Sequence, residues 1–276
     1  AARDPAGSPT VAPDEEELPD FADLAEPEHP KPVLGPAAGK THPARMRTFV
    51  KGLDETLDGG IPWGHVLLVE GAPGTMKSSL AFSILAQNAA HEGMHCLYLS
   101  FGERTSSLLK QMGSLGLPLH VSRGSLVVLD PRAAKGLLGD GRDWVDALRA
   151  ALHAIKAQRG LDVVVIDSLE TLGVLARFKD RPREIFRLFE WLRDLDITSF
   201  VISERPDHLV GHTVPAHWDE DYLADSVFQL QEHVVSDRDV ERRLRIVKMR
   251  GTKHRPGFLE FVLDEGQFRL AHASGR

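Results

Sequence analysis

The chain has a single cysteine, two tyrosines, and no apolar run approaching the roughly 18 residues of a membrane-spanning helix. A lone cysteine excludes an internal disulfide framework. Cys96 lies in the apolar stretch "HCLYLSF" and reads as a buried, inert thiol. A chain of 276 residues without disulfides is expected in a reducing compartment, most simply the cytoplasm, and the N-terminus lacks the apolar core of a signal peptide. A basic field is lacking too. Residues 1–30 carry nine acids against Arg3 alone, a net of −8, so against the whole-chain −7 the other 246 residues carry +1. The acidity belongs to the tail, and the neutral body does not advertise nucleic acid.

What is present divides the chain in two. The first 45 residues hold nine of the 17 prolines and few large apolar side chains, a composition that buries too little surface to offset its ordering entropy. Residues 1–46 are therefore expected to be a disordered acidic tail and 47–276 a single folded domain. "ELPDFADLAEP" sets Phe21 and Leu24 among acids, either as a partner-docking motif or as incidental apolar residues in a solubilising tail.

From Arg47 onward, short apolar runs alternate with helical patterns. Strands are expected at 65–71, 95–101, 125–130, 161–168 and 197–204, most of them continuously apolar, as in a parallel sheet covered on both faces. Leu80, Ile84 and Leu85 share one helix face, and Trp144, Leu148, Leu152 and Ile155 another. This alternation predicts an α/β domain. After residue 225 the helical patterns stop, and four segments read as antiparallel strands extending one edge of the sheet.

The first strand runs into "EGAPGTMKSS", close to the phosphate-loop pattern G-x-x-x-x-G-K-[ST], with Met76 where the second glycine belongs. Gly71 and Gly74 give the backbone freedom to wrap a phosphate, with Ala72, Pro73, Thr75, Met76 and Ser79 completing the loop. Lys77 is placed to reach β- and γ-phosphates and the Ser78 hydroxyl to bind Mg²⁺. If Met76 needs positive φ it costs roughly 1–2 kcal/mol; if it is right-handed it only crowds the phosphate. Ninety residues after Lys77, the apolar strand "LDVVVIDS" ends in Asp167, as expected of a carboxylate that holds Mg²⁺ through its water shell.

On these residues the chain resembles the KaiC-like branch of the RecA superfamily of ATPases, from about Thr48 to Leu270. "GLDETLDGGIPWG" is similar to its entry segment and "LDVVVIDSLETL" to its Walker B strand. "RRLRIVKMRGTKH" carries a K-x-R-G-x-x-H group at Lys248, Arg250, Gly251 and His254. Loops reading G-T-M-K-[ST] occur among KaiC-like proteins, including relatives of the archaeal gas-vesicle regulator. The resemblance implies a RecA-like fold, ATP and Mg²⁺ as ligands, and slow ATP hydrolysis driving a regulatory switch. It also implies a homo-oligomer, a hexameric ring being the family expectation, in which Lys248 and Arg250 reach the neighbour's γ-phosphate. An unidentified regulatory protein, engaged through the tail or elsewhere, is the expected partner.

The general base departs from the family. Paired acids usual after the second strand are here Gly102 and Glu103, which leaves Glu103 as the candidate catalytic carboxylate and keeps open a nucleotide-gated scaffold that does not hydrolyse. Ser203 and Glu204, at the end of "FVISE", either sense the γ-phosphate or simply end a strand. Autophosphorylation is disfavoured because "AHWDEDYLADS" has no adjacent Ser/Thr pair. A recombinase-like DNA role would rest on Arg177, Lys179, Arg181 and Arg183, which read better as a solvated helix start. The loop 205–222 ends in Asp219, Glu220 and Asp221, against phosphate contact. His208, His212 and His217 fit no standard zinc spacing.

Overall fold

The computed structural model describes residues 42–119, 124–138, 143–205, 220–236 and 239–271. The tail segment with Phe21 and Leu24, and the loop with His208, His212 and His217, lie outside them. Strands β1 (Arg45–Met46) and β2 (Ile61–Pro62) pair antiparallel, with the one-turn helix α1 (Leu53–Thr56) between them in the chain. Then come β3 (Val66–Gly71), α2 (Lys77–His91), β4 (His95–Ser100), α3 (Thr105–Ser114) and β5 (Ser125–Leu129). α4 (Pro131–Gly136) and α5 (Trp144–Arg159) lead to β6 (Val163–Asp167), and α6 (Leu169–Ala176) and α7 (Arg181–Asp194) to β7 (Thr198–Glu204). The short helix α8 (Glu220–Leu223) precedes β8 (Ser226–Ser236), β9 (Asp239–Met249), β10 (Phe258–Asp264) and β11 (Gln267–Ala271).

Among the described residues, nine strands form one sheet in the order β11-β10-β9-β8-β3-β7-β6-β4-β5. Its central parallel strands β3, β7, β6 and β4 are buried on both faces, which is why their sequences do not alternate. Val163 and Val165 join the core beneath α2 and α3, while Val164 and Ile166 join the core beneath α5, α6 and α7. Cys96 is buried, its thiol directed at the Leu85 carbonyl.

As expected, the four strands after residue 225 pair antiparallel with one another, and β8 joins them to the rest of the sheet by running parallel to β3. β8 starts at Ser226 opposite Leu67, whereas β7 ends at Glu204 opposite Gly71, so β8 enters the sheet from the other end and runs in the same direction as β3. Parallel pairing of β3, β7, β6 and β4 sets their C-terminal ends side by side, with Gly71 opposite Glu204, Ile202 opposite Asp167, and Asp167 opposite Ser100. Residues distant in sequence thus meet along one sheet edge, where ligands bind in open α/β sheets. Among the described residues no helix is long and apolar enough to cross a membrane.

Candidate functional site

The loop from Gly71 to Met76 turns the chain from β3 into α2. Gly71 cannot carry a side chain: a Cβ there would stand 2.2 Å from the Leu230 carbonyl oxygen. Gly74 is left-handed at φ 87°. Thr75, fully buried, donates its hydroxyl to the Ala72 carbonyl at 2.8 Å and closes the loop. Lys77 Nζ donates to the Gly71 and Ala72 carbonyls, both at 2.8 Å, so the ammonium is folded back over the loop.

Met76 adopts φ 71°, ψ 26° and stands as the N-cap of α2. The loop therefore does use the left-handed conformation that glycine would adopt freely, at a cost of roughly 1–2 kcal/mol. Met76 packs its side chain on the core beside α2, and that burial offsets part of the strain. No side chain caps α2, and backbone donors at such a terminus, with the helix dipole, favour an anion.

Ser78 and Asp167, 89 residues apart in sequence, come together here, and the Ser78 hydroxyl helps hold the Asp167 carboxyl down. Tyr98 donates its hydroxyl to Asp167 Oδ2 at 2.5 Å. Burial pushes the Asp167 carboxyl up, while the Tyr98 and Ser78 hydrogen bonds and the Lys77 charge pull it down. A hydroxyl and a buried carboxylate are oxygen donors suited to Mg²⁺, a hard cation that keeps most of its shell for water and phosphate. Among the described residues no group of three or more His, Cys, Asp or Glu side chains could hold a metal without such help. Sequence reasoning missed Tyr98. Its signal was a phenol inside an apolar run, since a buried hydroxyl needs a partner.

The candidate base Glu103 lies just beyond β4, but its Oε1 accepts from Ser107 and Gln111, both at 2.5 Å, on α3. Gly102 is exposed and has room: a Cβ would meet only the Thr171 hydroxyl oxygen, at 3.6 Å. Ser203 is fully buried and donates to Glu170 Oε1 at 2.7 Å. Glu204 is exposed at the end of β7, and its charge raises the Asp167 carboxyl further.

Lys248 and Arg250 both donate to the Tyr222 carbonyl and so reach the same side, and Lys248 lies opposite Val227 on the face away from α2. Lys248 Nζ donates to the carbonyls of Asp221, Tyr222 and Ala224, at 3.1, 3.2 and 2.6 Å. Arg250 donates to Asp225 at 2.7 Å. Burial and the Arg250 charge push the Lys248 ammonium down. Because β9 runs antiparallel, Lys248 is level with Leu68, three residues below Gly71 and two strands across, about 10 Å in each direction. Arg181 pairs with the fully buried Glu220 at 2.6 Å, whereas Arg177, Lys179 and Arg183 are exposed around the start of α7.

Behind the loop lies a buried ionic cluster that no motif announced. Glu70 is 2.8 Å from Arg205, which also pairs with Asp221. Burial raises the Glu70 pKa to about 8, with Arg205 opposing the shift and Asp221 adding to it. Folded Glu70 holds its proton more tightly than unfolded Glu70, whose usual value is 4.5. Its contribution to stability is thus complete at low pH and is lost as pH rises toward 8. The thermal midpoint is expected to fall between pH 5 and pH 8, by roughly 2–4 °C per kcal/mol lost. In Glu70→Gln that slope should flatten; a midpoint that rises across this window in the wild type would contradict the assignment.

Comparison with known proteins points the same way as the geometry. The family model described as the ATPase KaiC matches residues 46–271. The chain is 31% identical over 229 residues to the circadian clock oscillator protein KaiC of Picosynechococcus sp., covering 79% of this chain and 43% of that protein. It is 29% identical to KaiC 1 of Synechocystis sp., with 79% and 42% covered. The chain thus spans less than half the length of these curated relatives. A crystal structure of a KaiC-like protein from Pyrococcus horikoshii superposes with a TM-score of 0.64 at 20% identity, covering 82% of this chain and 98% of that one, a likeness of fold.

Proposed function

The chain belongs to the KaiC family of ATPases, and from that premise we propose that it binds ATP with Mg²⁺ at the Gly71–Ser79 loop and hydrolyses it slowly between subunits, as a regulatory switch. The observation that carries this reading is the convergence of Lys77, Ser78, Tyr98 and Asp167 at the end of the sheet. Lys77 would leave the Gly71 and Ala72 carbonyls for the β- and γ-phosphates, and the α2 terminus would take the remaining phosphate charge. Bound Mg²⁺ would neutralise charge developing between the β- and γ-phosphates. Ser78 and Asp167 are the residues to hold it, and Tyr98 orients Asp167.

The placement of Lys248 and Arg250 supports a role on a neighbour's nucleotide. Both lie on the face of the sheet opposite α2, held by α8 and Asp225, so the protomer's own loop is out of their direct reach. Docking of a second copy would supply the charge that stabilises the phosphoryl transition state and would tie turnover to assembly.

Glu103 favours the second reading, a nucleotide-gated scaffold, because its carboxylate must release both Ser107 and Gln111 before it can serve a water. The recombinase reading finds less support. Of the four basic residues near α7, Arg181 is committed to Glu220. Mass in solution, measured with and without ATP-Mg²⁺ alongside phosphate release, separates these readings. We expect a nucleotide-dependent oligomer that releases phosphate slowly. An oligomer without phosphate release would select the scaffold, and an unchanged monomer without release would refute the interfacial ATPase.

A further inference from the structure

The tip of β4 contributes no carboxylate free to face the γ-phosphate: position 102 is glycine, and Glu103 is bound on α3. Another carboxylate stands close by. Glu170 occupies the first turn of α6, three residues after Asp167. Its Oε1 accepts the Ser203 hydroxyl at 2.7 Å, whereas Oε2 is buried and accepts no hydrogen bond from the described residues. A buried carboxylate oxygen without a donor is costly, and such costs concentrate where function uses them.

The position suits that use. Ser203 is paired in register with Glu70, the residue just before Gly71 of the phosphate loop. The Glu170–Ser203 bond therefore joins α6 to the strand lying between β3 and β6. Ser203 projects toward the face covered by α6, as Val201 does, while Asp167 projects toward α2, as Val165 does. The two carboxylates flank the strand ends from opposite sides. The same turn of α6 borders the glycine, since a Cβ at Gly102 would meet the Thr171 hydroxyl oxygen at 3.6 Å.

We infer that Glu170, held by Ser203, is the general base for hydrolysis, taking the place of the acid missing at Gly102. The inference rests on the ATPase reading above. Once nucleotide binding admits the attacking water to Glu170, the water oxygen attacks the γ-phosphorus while its proton passes to Oε2. The bond from the γ-phosphorus to the β,γ-bridging oxygen breaks, and that oxygen leaves on ADP with the electron pair. Ser203 fixes the carboxylate so that Oε2, not Oε1, takes the proton. A base must lie within hydrogen-bond reach of the proton it takes, and a carboxylate fixed by packing and a hydrogen bond holds that geometry better than an exposed one such as Glu204.

The test is single-turnover hydrolysis, with ATP affinity measured in parallel, on the full chain. Glu170→Gln is expected to slow hydrolysis at least a hundredfold while affinity stays within threefold of wild type, and to remove the acid limb of the rate's pH profile. Adding Gly102→Glu to that variant should restore at least tenfold, because the site has room for the side chain. Ser203→Ala should shift the acid limb without an equal loss of affinity. The assignment is overturned if Glu170→Gln keeps its rate within threefold, if it loses affinity and rate equally, or if Glu103→Gln or Glu204→Gln carries the hundredfold loss instead. Those outcomes leave the ATPase reading standing. A wild-type chain that binds ATP and never releases phosphate sinks both.

Discussion

Lys77→Ala is expected to weaken ATP-Mg²⁺ binding by about two orders of magnitude, read by calorimetric titration. A hydrogen bond from a charged group contributes about 1.5–3 kcal/mol, and the ammonium can make more than one to the phosphates. The substitution acts on the folded chain too. Lys77 Nζ is bonded to the Gly71 and Ala72 carbonyls, and cutting it back frees both acceptors. A modest fall in the thermal midpoint should therefore accompany the loss of affinity. Melting in the presence of saturating ATP-Mg²⁺ provides the control, since wild type should gain stability by mass action and the variant should not. Affinity retained within threefold would show that the phosphates lie elsewhere.

Lys248→Ala should act in the opposite way, sparing affinity and removing turnover. A cationic finger that stabilises the phosphoryl transition state is worth about 10³–10⁵ in rate. The loss of phosphate release should fall in that range, with ATP affinity within a few-fold of wild type. Lys248 also has a structural task, because its ammonium satisfies three carbonyls in and after α8. Loss of rate by itself would not distinguish a finger from a frayed helix. Mixing resolves this. Lys77→Ala protomers keep intact fingers, and Lys248→Ala protomers keep intact loops. Each is expected to be inactive alone, and the mixture should regain phosphate release if the finger acts across an interface. A mixture as inactive as its parts would place Lys248 outside the neighbour's site.

Much of the fold was legible because local rules and tertiary demands agree here. Continuous apolar runs such as "LDVVVIDS" have the composition that a strand buried on both faces requires, and β6 lies within that run. The phosphate loop was legible for a similar reason. Glycine at 71 is enforced by the Leu230 carbonyl, and a lysine and serine at the first helical turn follow from what an anion site needs. Lys248 and Arg250 were legible as a pair through the K-x-R-G-x-x-H group that carries the family resemblance.

Other features left little or no local trace. Tyr98 reads as one more apolar residue until β4 is set beside β6, where register brings Ser100 opposite Asp167 and turns the phenol onto the carboxylate. Glu170 reads as an acid in a first helical turn, an ordinary place for one beside the helix dipole. Only the neighbouring strand shows that its partner is Ser203. Glu70, Arg205 and Asp221 come from three separate segments, and their ionic cluster exists only once those segments are packed.

The sequence by itself determined the α/β architecture and the phosphate loop, and its motifs carried the resemblance to the family. The first two are written in short stretches whose spacing directly reflects backbone geometry, glycine conformation or helix and strand period. The tertiary structure alone decided that Met76 is left-handed, that β8 runs parallel to β3, and that Glu103 is tied to α3. It also decided that Glu170 stands beside Ser203 with one oxygen unpartnered among the described residues. Those outcomes depend on which strand lies next to which and on competition among nearby donors and acceptors. Sheet order and side-chain competition are properties of the packed chain, and no local stretch of residues encodes them.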